Sequence, residues 1–298
     1  MNLFLKKVLL FVGSVIVITV LSVCFNKIYL KVNHFFKLSS NVHILILGDS
    51  RTRYGLDDKY LNQTKNFSSD ADSYFYSYTK LKELKENNPQ IDTLILSFSK
   101  HNIVKSIENR WLLNNAHLKE RLLVYFPILN KHEILFLLHN KPTETVKNVF
   151  SQVTSTYKYF IKKQGAFGGY KELEYSMLQK EIEKQKAEAG KEPAFEEAPI
   201  EKMYLRKIAD YCKENHIKLI LLNMPSHKAL MGNKEVFYSF YKRNFSDVTF
   251  LDFGNIELSD DDYGDLVHLS PKGSEYFTRN IFIKGLQNLN KENKLAKN

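Results

Sequence analysis

Residues 42–54, VHILILGDSRTRY, constrain this chain more than any other stretch. Ile44 to Leu47 is a short apolar run closed by Gly48, the pattern of a strand buried on both faces of a parallel sheet. Gly48 admits a sharp bend. Ser50 then lands just past the carboxyl end of the strand, where open α/β sheets place their ligands. Runs of the same kind recur at residues 93–98, 218–222 (KLILL) and 248–252, with a shorter strand near Asn66 and Phe67. Helical spacing separates them at residues 73–86, 203–215, 234–244 and 271–286. Tyr74, Tyr78, Leu81 and Leu84 line one face of the first of these helices, a core stripe. Five strands alternating with helices predict an α/β fold with a doubly wound parallel sheet.

A second motif lies in the last fifth of the chain, at residues 264–273, GDLVHLSPKG. A tight loop there lets the Asp265 carboxylate orient the His268 imidazole. His268 can then draw the proton from Ser50, with Asp265 stabilising the imidazolium. Ser270 and Pro271 read as the N-cap and first residue of a helix, so the pair sits on a loop entering a C-terminal helix. Taken singly, Gly-Asp-Ser is ordinary turn chemistry and His268 a solvated loop histidine. Together, in this chain order, they point to an activated serine.

GDS after the first strand and D-x-x-H before the last helix resemble the SGNH/GDSL hydrolase family, over about residues 42–286. The resemblance implies a flavodoxin-like strand order and hydrolysis or transfer of acyl groups. It assigns Ser50 as nucleophile, His268 as base and Asp265 as its orienting acid. The N-terminal apolar segment, with DxxHLxxKG near the end, is also similar, more distantly, to the membrane-anchored branch that includes DltD-type proteins of cell-wall D-alanylation. Two family features are absent. The glycine after the second strand has no counterpart in residues 66–73, so the amide of Asp70 or Ala71 must meet the oxyanion. The glycine two before an asparagine is missing after the third strand, where Asn102 is the best asparagine available. The oxyanion donors expected are therefore the Ser50 N–H, an amide at Asp70 and Asn102.

Residues 8–25 form an uncharged apolar run of 18, near the lower limit for a membrane-spanning helix. Small residues for signal-peptide cleavage are lacking, and Val23 is bulky for a lipoprotein box ending at Cys24. We therefore expect an uncleaved single-pass anchor and a basic, aromatic stalk to residue 41, followed by one α/β domain over residues 42–298. Lysines flank both ends, so charge does not orient the anchor; the family resemblance implies an extracytoplasmic domain.

The net charge of +10 comes without a helix-turn-helix, zinc-finger or RNP pattern, so nucleic acid is not an expected partner. Cys24 and Cys212 are the only cysteines, and the histidines are dispersed, so neither a disulfide framework nor a zinc site is expected. No Walker loop and no G-x-G-x-x-G occur, and no cofactor or metal is implied.

A helical insertion is expected at about residues 103–199, capping the carboxyl edge of the sheet. Its helices are read at residues 110–126, 131–138, 143–163 and 170–189, the last strongly charged. Gly-Ala-Phe-Gly-Gly at residues 165–169 and an exposed loop at 190–199 break it. Arg51 and Arg53 either contact an anionic substrate or pair with surface carboxylates. His227, just past the carboxyl end of the 218–222 strand, is a further candidate substrate contact. The expected substrate is an acyl ester, such as an acylated envelope glycan or polysaccharide, handled by an esterase or a transferase. The competing expectation is an inactive binding or assembly subunit of an envelope machine.

Overall fold

The strands β1 Ile44–Leu47, β2 Thr64–Asn66, β3 Thr93–Ser97, β4 Lys218–Asn223 and β5 Thr249–Asp252 form one all-parallel sheet in the order β2-β1-β3-β4-β5. This is the doubly wound, flavodoxin-like order. The chain runs from β1 to the edge at β2, then crosses back to β3, so the switch point lies between β1 and β3. The computed structural model describes residues 3–151, 167–187, 195–230 and 234–295.

Alternate side chains of each strand point to opposite faces. Leu45, Leu47, Leu94, Leu96, Leu219 and Leu221 enter one core. Ile46, Ile95, Ile220 and Leu222 enter the other. With both faces covered, the strands read as continuous apolar runs instead of alternating ones. The first face is covered by α3 (Tyr74–Asn87), α9 (Pro199–Glu214) and α10 (Glu235–Phe245), through Phe75, Leu81, Tyr204 and Phe240. The second is covered by α11 (Pro271–Tyr276), a π-helical turn (Phe277–Phe282) and α12 (Ile283–Leu295), through Phe277 and Phe282.

The helical insertion supplies α4 (Lys105–Trp111), α5 (Asn115–Tyr125), α6 (Lys131–Asn140) and α7 (Pro142–Ser151). Leu118, Leu122, Tyr125 and Leu137 extend the first core. The expected helix at residues 110–126 is two helices. Asn114 interrupts it by capping α5, its Oδ1 accepting the N–H groups of Ala116 and His117. The helix expected at 143–163 is described only to Ser151; the rest lies outside the described residues, as do residues 190–194 of the expected 190–199 loop.

The helix expected at 170–189 starts only at Leu178, as α8 (Leu178–Ala187). Residues 168–177 run irregularly because neighbouring loops take their backbone donors: Gly169 N–H binds Ser68 O, Lys171 N–H binds Arg53 O and Met177 N–H binds Gly264 O. Local charge pattern suits a helix there, but these tertiary hydrogen bonds override it. The segment thereby crosses the carboxyl edge of the sheet.

At the N-terminus α1 (Leu3–Val32) is long and apolar enough to cross a membrane, with a mean hydropathy of 2.8 over its apolar window. The segment expected as a stalk is docked on the domain. Leu30 and Phe36 are buried in the first core. Asn88 clamps the chain, donating to Phe36 O at 2.5 Å and accepting from Leu38 N–H at 2.8 Å.

Candidate active site

Gly48 ends β1 at φ +141°, a conformation that side chains rarely adopt, and a Cβ there would collide with the Cβ of Ser97 on β3. The next residue, Asp49, caps the short helix α2 (Ser50–Gly55), accepting Arg51 N–H at 2.9 Å. The turn therefore holds Ser50 at the start of α2, on the carboxyl edge above β1.

The loop between β5 and α11 brings its partner. Asp265 Oδ1 accepts the backbone N–H groups of Val267 and His268, both at 2.8 Å, which curls the loop so that carboxylate and imidazole meet. Gly264 N–H to His268 O at 3.0 Å closes it. Ser270 accepts Gly273 N–H and caps α11, with Pro271 in its first turn.

His268 Nε2 lies 2.7 Å from Ser50 Oγ, and its Nδ1 lies 2.7 Å from Asp265 Oδ2. Asp265 is held as the anion: burial pushes its carboxyl up, but the His268 hydrogen bond, its charge and two backbone N–H groups outweigh burial and lower it. A carboxylate must accept, so the network assigns the proton to Nδ1 and leaves the Nε2 lone pair facing the Ser50 hydroxyl. Tyr175, from the segment crossing the edge, donates to Asp265 Oδ2 at 3.2 Å. Tyr54 sets its ring edge-to-face with His268 at 5.4 Å. Sequence reading missed both tyrosines. Tyr54, one helical turn past Ser50, was readable from i, i+4 spacing, whereas nothing local marks Tyr175.

A second hydrogen-bonded chain starts one residue earlier. Asp49 Oδ2 meets His101 Nε2 at 2.7 Å and the Asn102 amide at 2.7 Å. His101 Nδ1 lies 2.8 Å from Ser99 Oγ. Burial pushes Asp49 up, but His101, Asn102 and Arg51 together hold it well below the usual carboxylate range. Burial lowers His101 against the pull of Asp49. Asn102, expected as an oxyanion donor, gives one amide hydrogen to Asp49, and its Oδ1 accepts the Ser99 N–H and hydroxyl.

The turn after β2 is built on Asp70 and Ala71. Arg53 pairs with Asp70 at 2.7 Å, and Arg121 donates to the Asp70 carbonyl. In a trans peptide the C=O and the following N–H point oppositely. Arg121 therefore fixes the Ala71 N–H away from itself. Among the described residues, neither that N–H nor the Ser50 N–H has a protein acceptor. Ala71 sits at φ +48°, the left-handed conformation a glycine would take easily, in the stretch that has none.

The two remaining expectations part company. His227 is buried, accepts Ala229 N–H on Nδ1 and meets Asp260 with Nε2 at 3.2 Å. Its backbone N–H holds Leu266 O, so its observed contacts brace the loop carrying Asp265, and both ring nitrogens are taken. Arg53 pairs with a carboxylate, whereas Arg51 is buried and, among the described residues, its guanidinium makes no hydrogen bond or ion pair. No cluster of three or more metal-ligating side chains occurs among the described residues.

A family model that carries no description matches residues 168–289, less than half of the chain, including Asp265 and His268 but not Ser50. No curated protein matches the chain. A solved structure from Streptococcus pneumonia, provisionally described as a platelet activating factor, is similar at 11% identity and a TM-score of 0.42, over 97% of this chain and 99% of that one.

Proposed function

We propose that the protein is a membrane-anchored serine hydrolase or O-acyltransferase of the SGNH type, acting on acyl esters of envelope glycans with its domain outside the cytoplasm. One observation carries the reading: the unbroken chain from Ser50 Oγ through His268 to Asp265, with 2.7 Å at each step. Ser50 attacks the ester carbonyl as His268 Nε2 takes its proton. The tetrahedral oxyanion is met by the N–H groups of Ser50 and Ala71, each without a protein acceptor. Collapse breaks the ester C–O bond, and His268 returns the proton to the leaving alcohol. Water then attacks the acyl-serine in an esterase, or a sugar hydroxyl in a transferase, with His268 again as base.

The absence of a glycine from residues 66–73 favours one second reading, an inactive binding subunit of an envelope machine that keeps the serine but lacks a full oxyanion site. A fluorophosphonate probe on the full chain in detergent separates the two. The expected result is stoichiometric labelling of Ser50, located by peptide mass, with none in Ser50→Ala. Absence of labelling in the folded wild type would remove the hydrolase reading.

A further inference from the structure

Arg51 follows Ser50 directly, and its side chain enters a cleft of about 70 Å³ over the carboxyl ends of β3, β4 and β5. Lys100, Asn223, Ser226 and Lys234 also line it. Three of these side chains are cationic, and no carboxylate lines the cleft among the described residues. Arg51 is 7% exposed. It feels the charges of Asp49 and Asp265 without bonding either, and burial works against its charge. Its nitrogens have no protein hydrogen bond among the described residues but are not sealed, so they face the open space of the cleft. Its planar fork matches the oxygens of a phosphate or carboxylate. The space equals a few water-sized spheres, room for one such group.

We infer that this cleft is an anion subsite in which Arg51, flanked by Lys100 and Lys234, binds the phosphate or carboxylate group of a ligand beside Ser50. Binding of the anion stands independently of acyl chemistry. Its meaning for substrate choice, an acylated glycan unit carrying an acidic group, rests on the function proposed above. The Asp252 carboxylate accepts from Asn223, Gly254 and Tyr238 and makes no ion pair with Arg51.

The test is titration of the full chain in detergent with inorganic phosphate, followed by ³¹P linewidth, and in parallel with ¹³C-acetate; the tighter ligand names the acidic group. Wild type is expected to bind one of them with a dissociation constant on the order of 1 mM. Arg51→Gln should weaken binding at least about tenfold, and Lys234→Glu, at the exposed rim, about threefold with a shallower salt dependence. Binding of neither anion by wild type, or unchanged binding in folded Arg51→Gln, overturns the proposal. Should Arg51→Gln not fold, unchanged binding in Lys234→Glu overturns it as well. Fluorophosphonate labelling is read on the same samples. Intact anion binding without labelling sinks the acyl reading alone, and labelling without anion binding sinks the subsite alone.

Discussion

Asp49 and Ser50 are neighbours in the chain, and each belongs to a carboxylate–imidazole–hydroxyl chain of nearly the same dimensions. Asp265–His268–Ser50 has steps of 2.7 and 2.7 Å; Asp49–His101–Ser99 has steps of 2.7 and 2.8 Å. They differ in what else their ends do. Ser99 is 2% exposed, and its hydroxyl is held by Asn102 as well as by His101. Ser50 is partly exposed, and His268 is the protein partner of its hydroxyl. Asp49 also accepts Arg51 N–H, Ser97 Oγ and Asn102 Nδ2, tying the ends of β1 and β3 together. A hydrogen-bonded relay is thus not by itself a catalytic device. An accessible hydroxyl with an uncommitted lone pair distinguishes a candidate nucleophile from a structural clasp.

The largest contrast should come from removing the two hydroxyls. Ser50→Ala is expected to abolish probe labelling and lower acyl-ester turnover by about 10⁶-fold, the scale seen when a serine nucleophile is deleted. Ser99→Ala should leave Ser50 labelled and lower stability by about 1 kcal/mol, the net worth of a buried hydrogen bond. Loss of labelling in folded Ser99→Ala would show that the two chains act as one unit.

Next in size are the two carboxylates. Asp265→Asn should reduce turnover by about 10⁴-fold, since the amide misplaces the His268 proton. It should also lower stability, because Asp265 is buried and accepts from Val267, His268 and Tyr175. Asp49→Asn should lower stability by about 3 kcal/mol or more for the same reason, an amide being unable to satisfy donors converging on a buried anion, while leaving Ser50 labelled. Loss of Ser50 labelling in folded Asp49→Asn would erase the distinction.

These differences bear on what the chain made legible. The strands were legible because each is a short continuous apolar run, and the switch-point serine because it follows Gly48. Asp265 and His268 were legible because they lie three residues apart in one loop, where the Asp265 backbone contacts are local. The clasp of Asp49, His101 and Asn102 was not: its members are 52 and 53 residues apart, and only the sheet aligns them. His227 and Arg51 illustrate the same limit. Both stand past strand ends, but burial turned one inward onto Ala229 and Asp260 and left the other lining a cleft. The docking of Leu30 and Phe36 was also hidden, because an apolar residue at or just past the end of a long apolar helix looks the same whether it faces lipid or a core.

The charge of the clasp reaches a third carboxyl. Glu201 is buried at the start of α9 and is pushed up to about 8 by burial; Tyr74 N–H opposes this, and Glu108, Asp72 and Asp49 add to it. Its ordinary value is 4.5, so between about pH 5 and pH 8 the unfolded chain binds fewer protons than the folded one. Stability should therefore fall as pH rises through that window, by at most about 1.4 kcal/mol per pH unit. Glu201→Gln should flatten the profile there, measured by denaturant midpoints. Asp49 and Asp265, whose folded values are lowered, give the opposite slope below about pH 4. A wild-type profile that is flat from pH 5 to 8 would mean that Glu201 is not held protonated.

The smallest expected effect separates the two sides of Ser50 itself. On the clasp side one Asn102 amide hydrogen goes to Asp49; on the other side, the Ser50 N–H and the Ala71 N–H have no protein acceptor among the described residues. Ala71 holds φ +48° under the grip of Arg121 on the preceding carbonyl. A left-handed alanine costs about 1–2 kcal/mol. Glycine removes that strain but gives back about 0.4–1 kcal/mol through the freer unfolded chain. Ala71→Gly should therefore raise stability by about 0.5 kcal/mol, a shift of about 1–2 °C in melting temperature. Turnover is the sharper readout. If the Ala71 N–H meets the oxyanion, its direction matters, and Arg121 still sets that direction in the glycine variant, so kcat should change less than about threefold. Arg121→Gln releases the carbonyl and should lower kcat by about tenfold or more with KM little altered, since an oxyanion donor acts in the transition state. A loss confined to KM would place the turn in ground-state binding instead, and leave the Ser50 N–H as the single donor.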